Sequence, residues 1–202
     1  MIAVIDVTGN NLTSLVNSIH RLGFDCVLTH DPILISGASH VILPGVGAAR
    51  PAMQALHEHG LVELLLQLKQ PILGICLGMQ LLFEHSEEGD VACLGLIAGR
   101  VEHLKPKLNY PVPHMGWNHL EWCRESFFQN EINEIKEGSY VYFVHGFAVA
   151  QNEYTIASCD YGLEISAIVQ KNNIYGMQFH PEKSAAVGLK LLHRFLTLED
   201  AC

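Results

Sequence analysis

Basic residues are scarce in this chain: 12 Lys and Arg stand against 21 Asp and Glu, a formal net charge of −9. Nucleic acids and membrane surfaces are both anionic, so this balance excludes a general binder of either and leaves room only for a local basic patch. Charge of either sign is thin, at 16% of residues, and a mean hydropathy of +0.21 excludes a disordered chain. No apolar run approaches the roughly 20 residues of a membrane-spanning helix. Met1-Ile2-Ala3-Val4-Ile5-Asp6 lacks the basic start of a signal peptide and is itself strand-like, so a cytoplasmic location is expected. Cys-x-x-Cys is absent, and His57-x-His59 and His114 to His119 lack the further partners of a zinc site, so no metal is expected. Cys26, Cys76, Cys93, Cys123, Cys159 and Cys202 are too scattered for a disulfide framework and read as free thiols. Linkers, repeats, low-complexity stretches, a glycine-rich phosphate loop and a magnesium motif are all missing. The expectation is one domain over residues 1–202, with no cofactor.

What is present is a regular alternation in the first half. Apolar strands are expected at 2–5, 26–29, 41–43 and 72–75, with helices near 12–22, 48–57 and 61–68 between them. Strand-helix-strand repeats predict an α/β fold with a parallel sheet and right-handed crossovers. Functional groups of such sheets gather outside the C-terminal ends of the strands, where Pro44 to Gly47 and Cys76 fall. After about residue 92 the pattern turns to short strands, at 99–104, 119–122, 140–144, 155–158, 165–169 and 174–179. A helix over 185–196 closes the chain.

Among the cysteines, only Cys76 has a reactive context. Gly74-Ile75-Cys76-Leu77-Gly78 lies between the strand-like Pro71-Ile72-Leu73 and the helix-like Met79-Gln80-Leu81-Leu82-Phe83. Gly-x-Cys-x-Gly at a strand-to-helix junction reads as a nucleophile elbow, whose glycines allow the backbone to double back beneath the exposed side chain. The thiol would sit over a helix N-terminus, where free N–H groups favour thiolate and hold a developing oxyanion. By itself the pattern also fits a buried structural cysteine.

Far downstream, Gly176-Met177-Gln178-Phe179-His180-Pro181-Glu182-Lys183-Ser184 ends a strand-like stretch at a histidine with a glutamate two residues on. A thiol nucleophile needs a base, and the base needs a group that fixes its tautomer; His180 and Glu182 supply both. Pro181 stiffens the turn that carries them. Alone, the segment could be a surface turn; both segments at strand ends of one α/β pattern point to catalysis.

Gly-Ile-Cys-Leu-Gly-Met-Gln together with Phe-His-Pro-Glu resembles the class I (triad) glutamine amidotransferases, whose flavodoxin-like, three-layer fold has a central, mostly parallel sheet. Leu43-Pro44-Gly45-Val46-Gly47 matches their oxyanion-strand segment. Pro113-His114-Met115-Gly116-Trp117-Asn118, Tyr142-Phe143-Val144-His145 and His180-Pro181-Glu182-Lys183-Ser184 are similar to the glutaminase subunit of imidazole glycerol phosphate synthase, over essentially the whole chain. The resemblance implies hydrolysis of L-glutamine by Cys76, His180 and Glu182, with oxyanion donors at Leu77 and at Val46 or Gly47. It implies a glutamine pocket at Gly47, Gln80, Glu88, His145, Gly146 and Phe147. It also implies a heterodimer in which Met115, Trp117, Asn118, Tyr142 and Lys183 face a (β/α)8-barrel cyclase subunit that takes up the ammonia. The chain departs from the family in one place: after Phe-Val-His the family usually carries Ser or Thr and then Tyr, and here stand Gly146 and Phe147. Two rivals remain, a glutaminase serving another synthase or a specialised paralogue, and a non-catalytic regulatory or scaffold subunit that keeps the elbow as architecture.

Overall fold

The computed structural model describes residues 1–6, 12–129, 135 and 138–198; of the six cysteines, Cys202 lies outside them. The first half contains β1 (Ile2–Ile5), α1 (Thr13–Arg21), β2 (Cys26–Thr29), α2 (Pro32–Ser36), β3 (His40–Leu43), α3 (Ala49–Glu58), α4 (Leu61–Gln67), β4 (Ile72–Ile75) and α5 (Leu77–Leu81). The second half contains β5 (His85–Ser86), β6 (Val91–Ala92), β7 (Arg100–His103), β8 (His114–His119), β9 (Glu121–Trp122), β10 (Tyr140–His145), β11 (Phe147–Ala148), β12 (Thr155–Asp160), β13 (Glu164–Lys171) and β14 (Ile174–Met177). A 3-10 turn (Pro181–Lys183) leads into α6 (Ala185–Leu196).

Eight strands form the central sheet in the order β2-β1-β3-β4-β14-β13-β12-β9. From β2 to β14 the neighbours are parallel, and from β14 to β9 they are antiparallel, so the sheet is mixed. The central strands β1, β3, β4 and β14 are buried at every residue, which is why their sequences, apart from His40 at the start of β3, are apolar rather than alternating. Successive side chains point to opposite faces: Ile2 and Val4 enter one core with Leu15, Ile19, Leu191 and Phe195 of α1 and α6. Ala3 and Ile5 enter the other with Met53, Leu56 and Leu65 of α3 and α4. Helices on both faces give the expected three layers.

Several local readings differ from the sequence pattern. Residues 32–36 form an unanticipated helix, started by Pro32 in its first turn and by the Asp31 carboxylate accepting the Ile33 N–H at 2.8 Å. The strand expected over 119–122 is two strands. β8 ends at His119, where the Asn118 side chain accepts the His119 N–H at 2.8 Å, and pairs with β10 in a separate two-stranded ribbon; β9 joins the edge of the main sheet. β4 and β14 run side by side with Gly74 opposite Gly176 and Ile75 opposite Met177, so the chain leaves both at the same end of the sheet. Cys76 and His180 follow from those two ends.

Candidate active site

Cys76 sits between β4 and α5 with φ 53° and ψ −112°, a left-handed conformation that costs a non-glycine residue about 1–3 kcal/mol. Its N–H donates to the Met177 carbonyl at 2.8 Å, and its side chain is buried. The flanking glycines serve close approach rather than positive φ. A Cβ on Gly78 would fall on the Leu43 carbonyl oxygen, and one on Gly74 would lie 2.6 Å from the Gly78 oxygen. The elbow is therefore pressed against the end of β3, beside Gly45. Since α5 has only five residues, what it presents at Cys76 is its first free N–H groups rather than a long macrodipole.

His180 leaves β14 on a turn fastened to β10. Its N–H donates to the Tyr142 carbonyl at 3.0 Å. The buried Ser184 hydroxyl donates to the His180 carbonyl at 2.7 Å and accepts the Tyr142 N–H at 2.9 Å. His180 Nδ1 meets Glu182 Oε1 at 2.8 Å, and a carboxylate there makes Nδ1 the protonated nitrogen. Burial opposes charge on His180, but hydrogen bonds and charge from Cys76 and Glu182 outweigh it and raise its pKa from 6.5 to about 9. The imidazole is thus held protonated beside the Cys76 sulfur at neutral pH.

Cys76 and His180 open on a cavity of about 320 Å³, which is also lined by Val46, Gly47, Leu77, Gln80, Glu88, His145, Gly146 and Phe147. Every residue predicted for the oxyanion and substrate sets therefore borders one space, with Glu182 behind His180. Glu88 lies in the loop between β5 and β6, where its carboxylate accepts the Ala49 N–H at 2.8 Å. Burial raises its pKa, and that N–H opposes the shift. The same loop is clamped by Arg50, whose guanidinium donates to the carbonyls of Gly89 and Asp90.

Gln80 is buried, and its amide donates to the Phe147 carbonyl at 2.8 Å and to Gln178 Oε1 at 3.0 Å. Gln178 in turn points its amide nitrogen at Cys76 Sγ, 3.9 Å away. Sequence reasoning gives Gln178, Ser184 and Arg50 no role. A polar residue within the apolar stretch before His180 is the available signal for the first; the Arg50 contacts and the Ser184 contact with Tyr142 are long-range.

The predicted partner residues lie in two places. Met115 and Trp117, 63% and 53% exposed, stand on β8 beside Tyr142 of β10, whose ring meets the Trp117 ring edge-to-face at 5.9 Å. Asn118 on the same strand is turned to its own chain, donating to the Asp160 carbonyl at 2.9 Å. Lys183 is exposed on the His180 turn and borders a second cavity of about 260 Å³ with Ser14, Val46 and Glu182.

Residues 3–197 match the family described as glutamine amidotransferase class-I. The chain belongs to that family. This amidotransferase is 58% identical over 202 residues, all of both chains, to imidazole glycerol phosphate synthase subunit HisH 2 of Legionella pneumophila strain Paris. It is 50% identical over 200 residues to imidazole glycerol phosphate synthase subunit HisH of Xylella fastidiosa strain Temecula1, covering 99% of this chain and 98% of that one. Among solved structures, its fold is similar to that of a putative GMP synthase subunit from Thermoplasma acidophilum, with a TM-score of 0.73 at 19% identity, covering 96% of this chain and 91% of that one. A glutamine amidotransferase from Thermotoga maritima gives a TM-score of 0.67 at 18% identity, covering 96% and 95%. Among the described residues of this amidotransferase, no group of three or more His, Cys, Asp or Glu is arranged to hold a metal ion. No helix there is long and apolar enough to cross a membrane.

Proposed function

We infer that the chain is the HisH-type glutaminase subunit of imidazole glycerol phosphate synthase, acting in histidine biosynthesis. The observation that carries this reading is the convergence of Cys76 and His180 on one cavity, with Glu182 bonded to His180 from behind, in a chain whose full-length relatives are HisH subunits. Glutamine enters that cavity, and the Cys76 sulfur attacks its side-chain amide carbon. The tetrahedral oxyanion is met by the Leu77 N–H and by one N–H from Val46 or Gly47. Protonated His180 delivers its proton to the departing nitrogen, leaving a glutamyl thioester and ammonia. His180 then takes a proton from water, hydroxide displaces the sulfur, and glutamate leaves. Glu182 keeps the imidazole oriented throughout.

Free ammonia is useless if it escapes to water, so a second subunit uses it. We assign that role to a (β/α)8-barrel cyclase, bound as a heterodimer in the cytoplasm and joining ammonia to a phosphorylated ribonucleotide carboxamide. Exposed Met115 and Trp117 with Tyr142 provide an aromatic face of the kind that anchors interfaces, and Lys183 lies beside the triad turn. Gly45 and Gly47 on either side of Val46 make a peptide flip inexpensive, and we place the gating of the oxyanion donor by the partner there. Covalent labelling by a glutamine-analogue electrophile, read by mass spectrometry, tests the catalytic reading: modification at Cys76 supports it, and modification nowhere would favour a scaffold.

Gly146 replaces a hydroxyl residue on the cavity rim, so one donor to the substrate carboxylate is missing. A Cβ at Gly146 would meet only Val112 Cγ1, at 3.8 Å, which leaves room for serine. Gly146→Ser is expected to lower the KM for glutamine about fivefold, the worth of about 1 kcal/mol for one hydrogen bond. An unchanged KM would show that no donor is needed there.

A further inference from the structure

Two buried histidines, one lining the cavity and one behind it, take no part in the bond and proton transfers of this chemistry. His114 and His145 face each other across the β8–β10 ribbon, with His114 Nδ1 3.1 Å from His145 Nε2. His145 Nδ1 lies 2.8 Å from the Phe147 carbonyl oxygen. A carbonyl only accepts, so His145 carries its proton on Nδ1 and its Nε2 is the acceptor. His114 must then donate from Nδ1, and both tautomers are determined. Burial lowers the pKa of His145 to about 3 and that of His114 to about 4, which keeps the pair neutral at ordinary pH. The His114 ring is stacked between Phe143, at 4.6 Å, and Tyr161, at 3.8 Å, so its orientation is set by packing.

The Phe147 carbonyl is the junction of this chain. It accepts from His145 on one side and, at 2.8 Å, from the Gln80 amide on the other. Gln80 continues to Gln178 and toward the Cys76 sulfur. A continuous series of hydrogen bonds thus links the ribbon to the nucleophile, its donors converging from both sides on the Phe147 carbonyl, and residues 145–147 at its middle form one rim of the glutamine cavity. At its outer end, His114 borders a surface cleft of about 350 Å³ beside Trp117.

We propose that His114 is a positioning residue for glutamine recognition: by donating to His145 it fixes the Phe147 carbonyl and with it the 145–147 rim. The proposal rests on the glutaminase reading. His114→Phe keeps a ring between Phe143 and Tyr161 and removes the donor; His114→Asn keeps a donor near Nδ1. In the synthase complex with its nucleotide ligand, His114→Phe is expected to raise the KM for glutamine about tenfold with kcat changed less than about threefold, and His114→Asn to recover most of that loss. Nitrogen NMR on the wild-type chain is expected to find His145 as the Nδ1–H tautomer with Nε2 accepting a hydrogen bond, and His114→Phe to lose that acceptor signature at Nε2 while His114→Asn keeps it.

Active, folded His114→Phe with a wild-type KM overturns the proposal alone. Should that variant not fold, an Nε2–H tautomer at His145 in the wild-type protein overturns it, and the Nδ1–H tautomer with rescue-level kinetics in His114→Asn supports it. Wild-type protein without glutaminase activity in any mixture would overturn the function and the glutamine role together, whatever the tautomer.

Discussion

Cys76→Ala is expected to lower glutamine hydrolysis by about 10⁴-fold or more, because no other group in the cavity forms the thioester. His180→Gln should cost a similar factor. The double variant should be no worse than either single one, since nucleophile and base act as a unit and their losses do not add. The two variants are separable by chemistry. Cys76→Ala cannot be labelled by a glutamine-analogue electrophile, whereas His180→Gln retains the thiol and should be labelled slowly. In the wild-type enzyme, activity should decline on the alkaline side with an apparent pKa near 9, because above it His180 no longer carries the proton that the leaving ammonia needs. Steady-state glutamate release across pH measures all of these. An alkaline limb near 6.5 would mean that Cys76 and Glu182 do not hold His180 protonated, and hydrolysis surviving in Cys76→Ala would remove the nucleophile from its role.

Gly78→Ala is expected to be the most damaging conservative change for the fold. The new methyl would fall on the Leu43 carbonyl at the end of β3, a buried central strand with no room to retreat. Relief requires moving either β3 or the elbow. The cost should be about 4 kcal/mol, a large part of the roughly 5–15 kcal/mol by which such proteins are stable, and the melting temperature should fall by about 8–16 °C. Gly37→Ala is the control, since its Cβ would approach nothing closer than 3.4 Å and that position ends a short surface helix. Thermal unfolding of both variants decides: equal melting temperatures would mean that the elbow is loosely seated, and the strained Cys76 conformation would then have no steric cause in the packing against β3.

The parts legible in sequence are those whose determinants are local or periodic. β1, β4 and residues 41–43 of β3 are unbroken apolar runs because both faces are covered. The elbow announces itself because Gly74 and Gly78 must approach Leu43 and each other. The partners His180 and Glu182 are two residues apart and joined through proline. What escapes depends on contacts distant in sequence or on segments too short for a period. Two-residue strands such as β5 and β6 have no pattern to detect. The ribbon strand β8 is hidden over most of its length because Pro113 precedes it and Gly116, at φ 137°, interrupts it. Gln178 acquires its place through Gln80, 98 residues earlier, and through Cys76, and Ser184 acquires its place by bridging His180 to Tyr142. Glu88 would pass for a solvated carboxylate until α3 places the Ala49 N–H on it.

The most direct measurement is glutamate release from glutamine by the purified chain, alone and then with a (β/α)8-barrel cyclase and its nucleotide ligand, with Cys76→Ala as the blank. Weak release by the chain alone and a large rise only in the complete mixture is the result expected of a glutaminase gated by its partner. Robust release by the chain alone would contradict the gating at Val46, and no release in any mixture would contradict the glutaminase itself.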